Sequence, residues 1–221
     1  MNLKNQFREK KKQKEWRYSK SEESVLKNGI INYNVSTVGE TGTGMTSFIK
    51  RYCDAPDDLK EPFEYLIKPV ELNEMDCQVT FWDTTTSEHQ YWLPRVWQPC
   101  HGLLIMVDLS NPENVEDLFQ WHHSLFQYLS KDFEFQPMMI AVGTKADRKA
   151  VDDSFFIQKA EQCGLKWFIT SSVTGEGIEE AMQALLEEMN QKFNPLDDST
   201  PDEFKKFIKK KKKPNGGCAN N

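Results

Sequence analysis

Two kinds of hydrophobic pattern alternate along the chain. The continuous apolar runs "GLLIMVDLS" and "PMMIAVGTK" suit central parallel strands covered on both faces. Between them, apolar positions recur at Val115, Leu118, Phe119, His122, Leu125, Phe126 and Leu129, the stripe of a helix packed on a sheet. His122 falls on that stripe and is expected to pack rather than to ligate. "GIINYNVSTVG" reads as a first strand and "GMTSFIKRYC" as a first helix. "FEYLIKPVEL" and "CQVTFWD" read as a hairpin turning at Asn73–Asp76. "LKWFITSS" reads as a last strand. The last helix carries Ile178, Ala181, Met182, Leu185, Leu186 and Met189 on one face, with Pro195 just beyond its end. Together these elements predict an α/β fold: an open, mostly parallel six-stranded sheet with one antiparallel edge hairpin and helices on both faces. Sheets of this kind bind ligands at the carboxyl ends of their strands.

Charge divides the chain into three parts. Of 28 Lys/Arg and 34 Asp/Glu, residues 1–20 hold eight and two, and residues 197–221 hold seven and four. The 13 basic and 28 acidic residues left in 21–196 give that body a net charge of −15. We therefore expect a basic N-terminal extension at 1–28, a compact domain at 29–193 and a flexible polybasic tail at 194–221. The acidic body argues against nucleic acid as a partner. The basic ends suit an anionic membrane surface, or are simply solvated. No apolar run is long enough to span a membrane, and the N-terminus is too basic and polar for a secretory signal. Five cysteines, odd in number and without C-x-x-C spacing, favour a reducing compartment and no metal cluster.

Four segments carry candidate chemistry, each after a strand. "GETGTGMT", Gly39, Glu40, Thr41, Gly42, Thr43, Gly44, Met45 and Thr46, with Ser47 next, has the spacing of a phosphate loop, G-x-x-x-x-G-K-[ST]. Its place between a strand and a helix is right, because phosphates sit on N–H groups at a helix N-terminus. Met45 stands where that pattern has lysine. Asp83, in "FWDTTTSE", can orient water on Mg²⁺ or cap a helix. In "GTKAD", Lys145 and Asp147 project from one loop. The carboxylate can accept from guanine N1–H and its 2-amino group, a donor pair adenine lacks. In "TSSVTGEG", Ser172 can offer a backbone N–H to guanine O6.

In this order, the four segments resemble the small GTPases of the Ras superfamily, the Rab branch in particular. "CHG" before the apolar strand, "LLIMVDLSNPENVEDLFQWHHSL" and "FITSSVTGEGIEEAMQALLEEM" extend the resemblance over nearly all of 29–193. It implies that GTP or GDP binds with Mg²⁺. Gly39 to Ser47 would wrap the phosphates, Thr46 would ligate the metal, and Asp83 would hold a metal-bound water. Thr144, Lys145 and Asp147 would take the base, with Ser171 and Ser172 behind it. It also implies effector and regulator partners, a role in vesicle traffic, and a cytoplasmic protein held peripherally on the cytosolic face of membranes. Cys218, four residues from the end behind seven lysines, would carry a prenyl anchor, although Asn220 and Asn221 match that signal poorly.

The departures fall on one half of the site. Met45 removes a charge-assisted phosphate contact, of a kind worth about 1.5–3 kcal/mol. Lys60 takes the place of the threonine that binds Mg²⁺ in the first switch. Thr86 replaces the glycine that meets the γ-phosphate, and Ser87 the glutamine that orients the attacking water. Thr41 adds bulk in the loop. Two readings stay open: a GTP-binding protein with weak or absent hydrolysis, and an interaction scaffold that keeps the fold without cycling nucleotide.

Overall fold

The structure is a computed structural model. It describes residues 26–27, 30–56, 58–59, 65–73, 75–83, 100–130 and 136–193. Among the described residues seven strands form one sheet: β1 Leu26–Lys27, β2 Ile30–Val38, β3 Tyr65–Leu72, β4 Met75–Trp82, β5 Gly102–Asp108, β6 Met138–Thr144 and β7 Lys166–Ile169. Their order is β3-β4-β2-β5-β6-β7, with β1 beside β2. β3 pairs antiparallel with β4, and β2, β4, β5, β6 and β7 run parallel. The six expected strands are all present. The two-residue β1, antiparallel to β2, is an addition that no periodicity announces.

Side chains of the central strands alternate between two cores. Leu104 and Met106 of β5 face one layer, with α1 (Met45–Tyr52) and α5 (Ile178–Phe193). Leu103, Ile105 and Val107 face the other, with α2 (Pro112–Glu116), α3 (Leu118–Ser130) and α4 (Asp153–Gln162). All six apolar residues expected on the face of α5 are buried. On the edge strand β3 exposed and half-buried positions alternate up to the last residue, the mark of a strand with one solvated face. Its hairpin turn is shorter than expected: Asn73 takes a left-handed φ of 50°, a conformation open to asparagine, and β4 already begins at Met75.

The helix expected over 115–129 is divided. Asn111 caps α2 by accepting from the Glu113 N–H at 3.1 Å, with Pro112 in the first turn. Asp117 separates it from α3, although hydrogen bonds to Glu113 and from Trp121 carry through the break. Val115, Leu118, Leu125 and Leu129 are buried as expected, but Phe119 and Phe126 are 56% and 51% exposed. Only the strip facing the sheet is covered, and these two lie on its flank. Phe119 instead stacks on His123 one turn on, and half-buried His122 lies beside Phe126.

Candidate functional site

The loop after β2 is shaped by glycine. Gly42 and Gly44 hold left-handed φ values of 89° and 97°, where any other residue would be strained. Gly39 serves a different purpose: a Cβ there would lie 2.3 Å from the Met106 carbonyl oxygen, so the loop can close onto β5 only without a side chain. α1 then begins at Met45, with Gly44 as a cap that offers no side-chain hydrogen bond. Its first N–H groups therefore face the loop, as phosphate binding requires.

Met45 itself points elsewhere. Its side chain is 3% exposed within the core that holds Phe48, Ile49 and Met106. The backbone N–H is what this position has for a phosphate. The next residue keeps its place: the Thr46 hydroxyl donates to the Asp83 carboxylate at 2.7 Å, and Asp83 is buried. The hydroxyl expected on the metal and the carboxylate expected to hold its water thus converge from α1 and the end of β4. Mg²⁺ prefers oxygen ligands and keeps several waters, so a hydroxyl and one carboxylate suit it. Among the described residues no group of three or more His, Cys, Asp or Glu forms a denser metal site.

The loop after β6 reaches across to the phosphate loop. The Thr144 hydroxyl lies 2.6 Å from the Thr43 carbonyl, and Lys145 Nζ lies 2.7 Å from the Gly42 carbonyl. Lys145 adopts a left-handed φ of 59° and pairs with Asp108 at 2.5 Å. Burial pushes the Asp108 carboxyl up. Hydrogen bonds from Lys145 and Ser110 outweigh that and hold it below its ordinary value. Asp147 accepts from the Ser171 hydroxyl at 2.6 Å, and Ala146 N–H donates to the Thr170 carbonyl. The carboxylate is therefore aimed by the loop after β7. That loop folds on itself through Gly175 N–H to the Ser171 carbonyl at 2.8 Å. Ser172, half-buried, lies in the same turn.

Sequence reasoning missed two supports. Asp108 ends an apolar strand just as Asp83 does, so the signal was there. Arg51 of α1 donates to the Thr174 carbonyl at 3.3 Å, a contact between residues 123 positions apart that no local pattern announces. Ser87, Lys60, Thr86 and Cys218 lie outside the described residues. The four described cysteines form no disulfide. Burial pushes Cys53 and Cys100 up to about 12 and Cys77 to about 11, which makes these thiols poor nucleophiles.

A sequence model of the Ras family matches residues 34–191. The chain is also 24% identical over 170 residues to the Ras-related protein Rab-10 of Diplobatis ommata, covering 72% of this chain and 82% of that protein. The family match spans both braced loops, from within β2 to within α5. The chain belongs to the Ras family of small GTP-binding proteins and is Rab-like within it.

Proposed function

We propose that the chain binds guanine nucleotide with Mg²⁺, hydrolyses it weakly or not at all, and acts as a regulator of vesicle traffic on the cytosolic face of membranes. One observation carries the nucleotide half. Thr144 and Lys145 tie the base loop to the carbonyls of Thr43 and Gly42, while Ser171 aims Asp147. A base held by Asp147 therefore leaves the attached phosphates over the N-terminus of α1. Asp147 would accept from N1–H and the 2-amino group, and the N–H of Ser172 lies in the turn that would meet O6. Thr46 and Asp83 would hold the metal, which supplies positive charge between phosphate oxygens. Weak hydrolysis follows from Ser87 and Thr86, which by resemblance replace the groups that place water and meet the γ-phosphate. Effector and regulator proteins are the expected partners, and Cys218 is the proposed lipidation site.

Met45 favours the scaffold reading instead, because its buried side chain brings no charge to the phosphates. Denaturing the purified protein and separating any released nucleotide by chromatography decides between the two. GDP or GTP near one equivalent is expected. An empty site, with no heat on titrating GTP and Mg²⁺, leaves the scaffold. For the tail, Cys218→Ser is expected to release the protein from cell membranes, and unchanged fractionation would remove the lipid anchor.

A further inference from the structure

Guanine carries two donors, N1–H and the 2-amino group, and two neighbouring acceptors, O6 and N7. The proposed site assigns the donors to Asp147 and O6 to the turn that holds Ser172. N7 is left, on the ring that bears the ribose. With Asp147 on the far edge of the base and the phosphates over the N-terminus of α1, that ring lies between Asp147 and the phosphate loop. Thr144 spans this gap: it ends β6, and its hydroxyl reaches the phosphate loop at Thr43.

What Thr144 can offer N7 is a matter of counting protons. A threonine hydroxyl has one proton and two lone pairs. The Thr144 hydroxyl lies 2.6 Å from the Thr43 carbonyl oxygen and 3.1 Å from the Val107 carbonyl oxygen. Both neighbours only accept, so the proton is committed within the protein. Thr144 is 3% exposed and Thr43 is fully buried. Turning the hydroxyl to a base would leave the Thr43 carbonyl without that bond, and an unmade buried bond costs more than a new one returns. Other side chains around the gap are engaged too. Lys145 Nζ is held by the Gly42 carbonyl and the Asp108 carboxylate, and the Ser171 hydroxyl donates to Asp147. The Thr43 hydroxyl is buried on the Gly39 side, inside the phosphate loop.

We propose that Thr144 positions the phosphate loop and does not read the base, so that the site selects guanine nucleotides by N1–H, the 2-amino group and O6 and is indifferent to N7. The inference rests on the nucleotide half of the proposed function and deepens it. N7 is then left to water, which serves a lone acceptor nearly as well as a protein donor does. Guanine nucleotides that lack N7 belong to the same ligand class as GDP and GTP.

The test is calorimetric titration of the full, nucleotide-free chain with GDP and with 7-deaza-GDP, each with Mg²⁺. The analogue has C–H in place of N7 and keeps N1–H, the 2-amino group and O6. An ordinary hydrogen bond is worth about fivefold in affinity. The two dissociation constants are expected to differ by less than about threefold, short of one such bond. Thr144→Asn is the second arm. Its amide has two N–H donors, one for the Thr43 carbonyl and one for N7. This variant should therefore hold GDP about fivefold more tightly than 7-deaza-GDP, a ratio that a purely structural role would not move. Thermal unfolding checks that it stays folded, and the wild-type comparison decides the main point even where it does not. A wild-type preference for GDP of about threefold or more would place a donor at N7, from the Ser172 hydroxyl or another group, and overturn the proposal. A folded Thr144→Asn protein without any preference would show that position 144 does not face N7, with the same consequence. No heat with GDP itself would sink the nucleotide reading and this inference with it, so the GDP titration tells the two failures apart.

Discussion

Gly39, Met45 and Asp147 set the limits of the site at the scale of single residues. Gly39→Ala forces a Cβ into the Met106 carbonyl. Overpacking of this kind costs about 1–3 kcal/mol, or several degrees of melting temperature at about 2–4 °C per kcal/mol for a domain of this size, to be read by thermal unfolding. Met45→Lys puts a charge at a position 3% exposed. It should lower the melting temperature of the free protein and yet tighten GDP binding about tenfold to a hundredfold in calorimetry with Mg²⁺. Equal affinity in the two proteins would mean that the loop does not meet a β-phosphate. Asp147→Ala should abolish the preference for guanine over hypoxanthine nucleotides, because hypoxanthine lacks only the 2-amino group. A preference that survives would move base recognition elsewhere. The motif residues were legible in the sequence because each supplies its chemistry at a fixed spacing. The burial of Met45 was not, since the motif says what is missing and not where the replacement packs.

At the scale of elements, three strands are joined around His101. Its Nδ1 accepts from the Asn34 N–H at 2.9 Å, its N–H donates to the Asn34 carbonyl, and its carbonyl accepts from Met138 N–H. It thereby joins β2, β5 and β6, while its ring packs on Tyr33 and Phe193. Burial lowers its pKa from 6.5 to about 4. A base whose folded pKa is depressed stabilises the fold while it stays neutral. That contribution is complete above pH 6.5 and is lost as pH falls toward 4, because the unfolded chain takes the proton first. The span is worth about 3 kcal/mol. Urea midpoints should therefore fall between pH 7 and pH 4.5, and His101→Gln should flatten that slope. Strands and helices were readable from period and run length. The exposure of Phe119 and Phe126 was not, because periodicity marks a stripe without saying how much of it a neighbour covers. Helix α4 escaped as well: "DSFFIQKAEQ" buries only Phe156 and Ala160, too few apolar positions to stand out.

For the whole molecule, the two loops and the Thr46–Asp83 pair all belong to the folded state, so a ligand bound there stabilises it by mass action. GDP with Mg²⁺ at about 100 times its dissociation constant adds about 2.7 kcal/mol. The melting temperature should then rise by roughly 5–10 °C in a single transition. ATP at the same concentration should leave it unchanged, since adenine offers Asp147 no donor pair. A rise with ATP equal to that with GDP would show that the base loop does not select. Among the described residues no helix is long and apolar enough to cross a membrane.

The sequence by itself determined the sheet, the order of its strands along the chain, the helix that covers one face, and the residues proposed for base and metal chemistry. These depend on local spacing and hydrophobic period. Tertiary structure decided what lies far apart in the chain. It braced Thr144 and Lys145 against the carbonyls of Thr43 and Gly42, and set Asp108 against Lys145. It turned Met45 into the core and set Phe193 of the last helix against His101. Those arrangements come from strand order and from helices crossing back over the sheet, and both are set by packing between residues that no local pattern brings together.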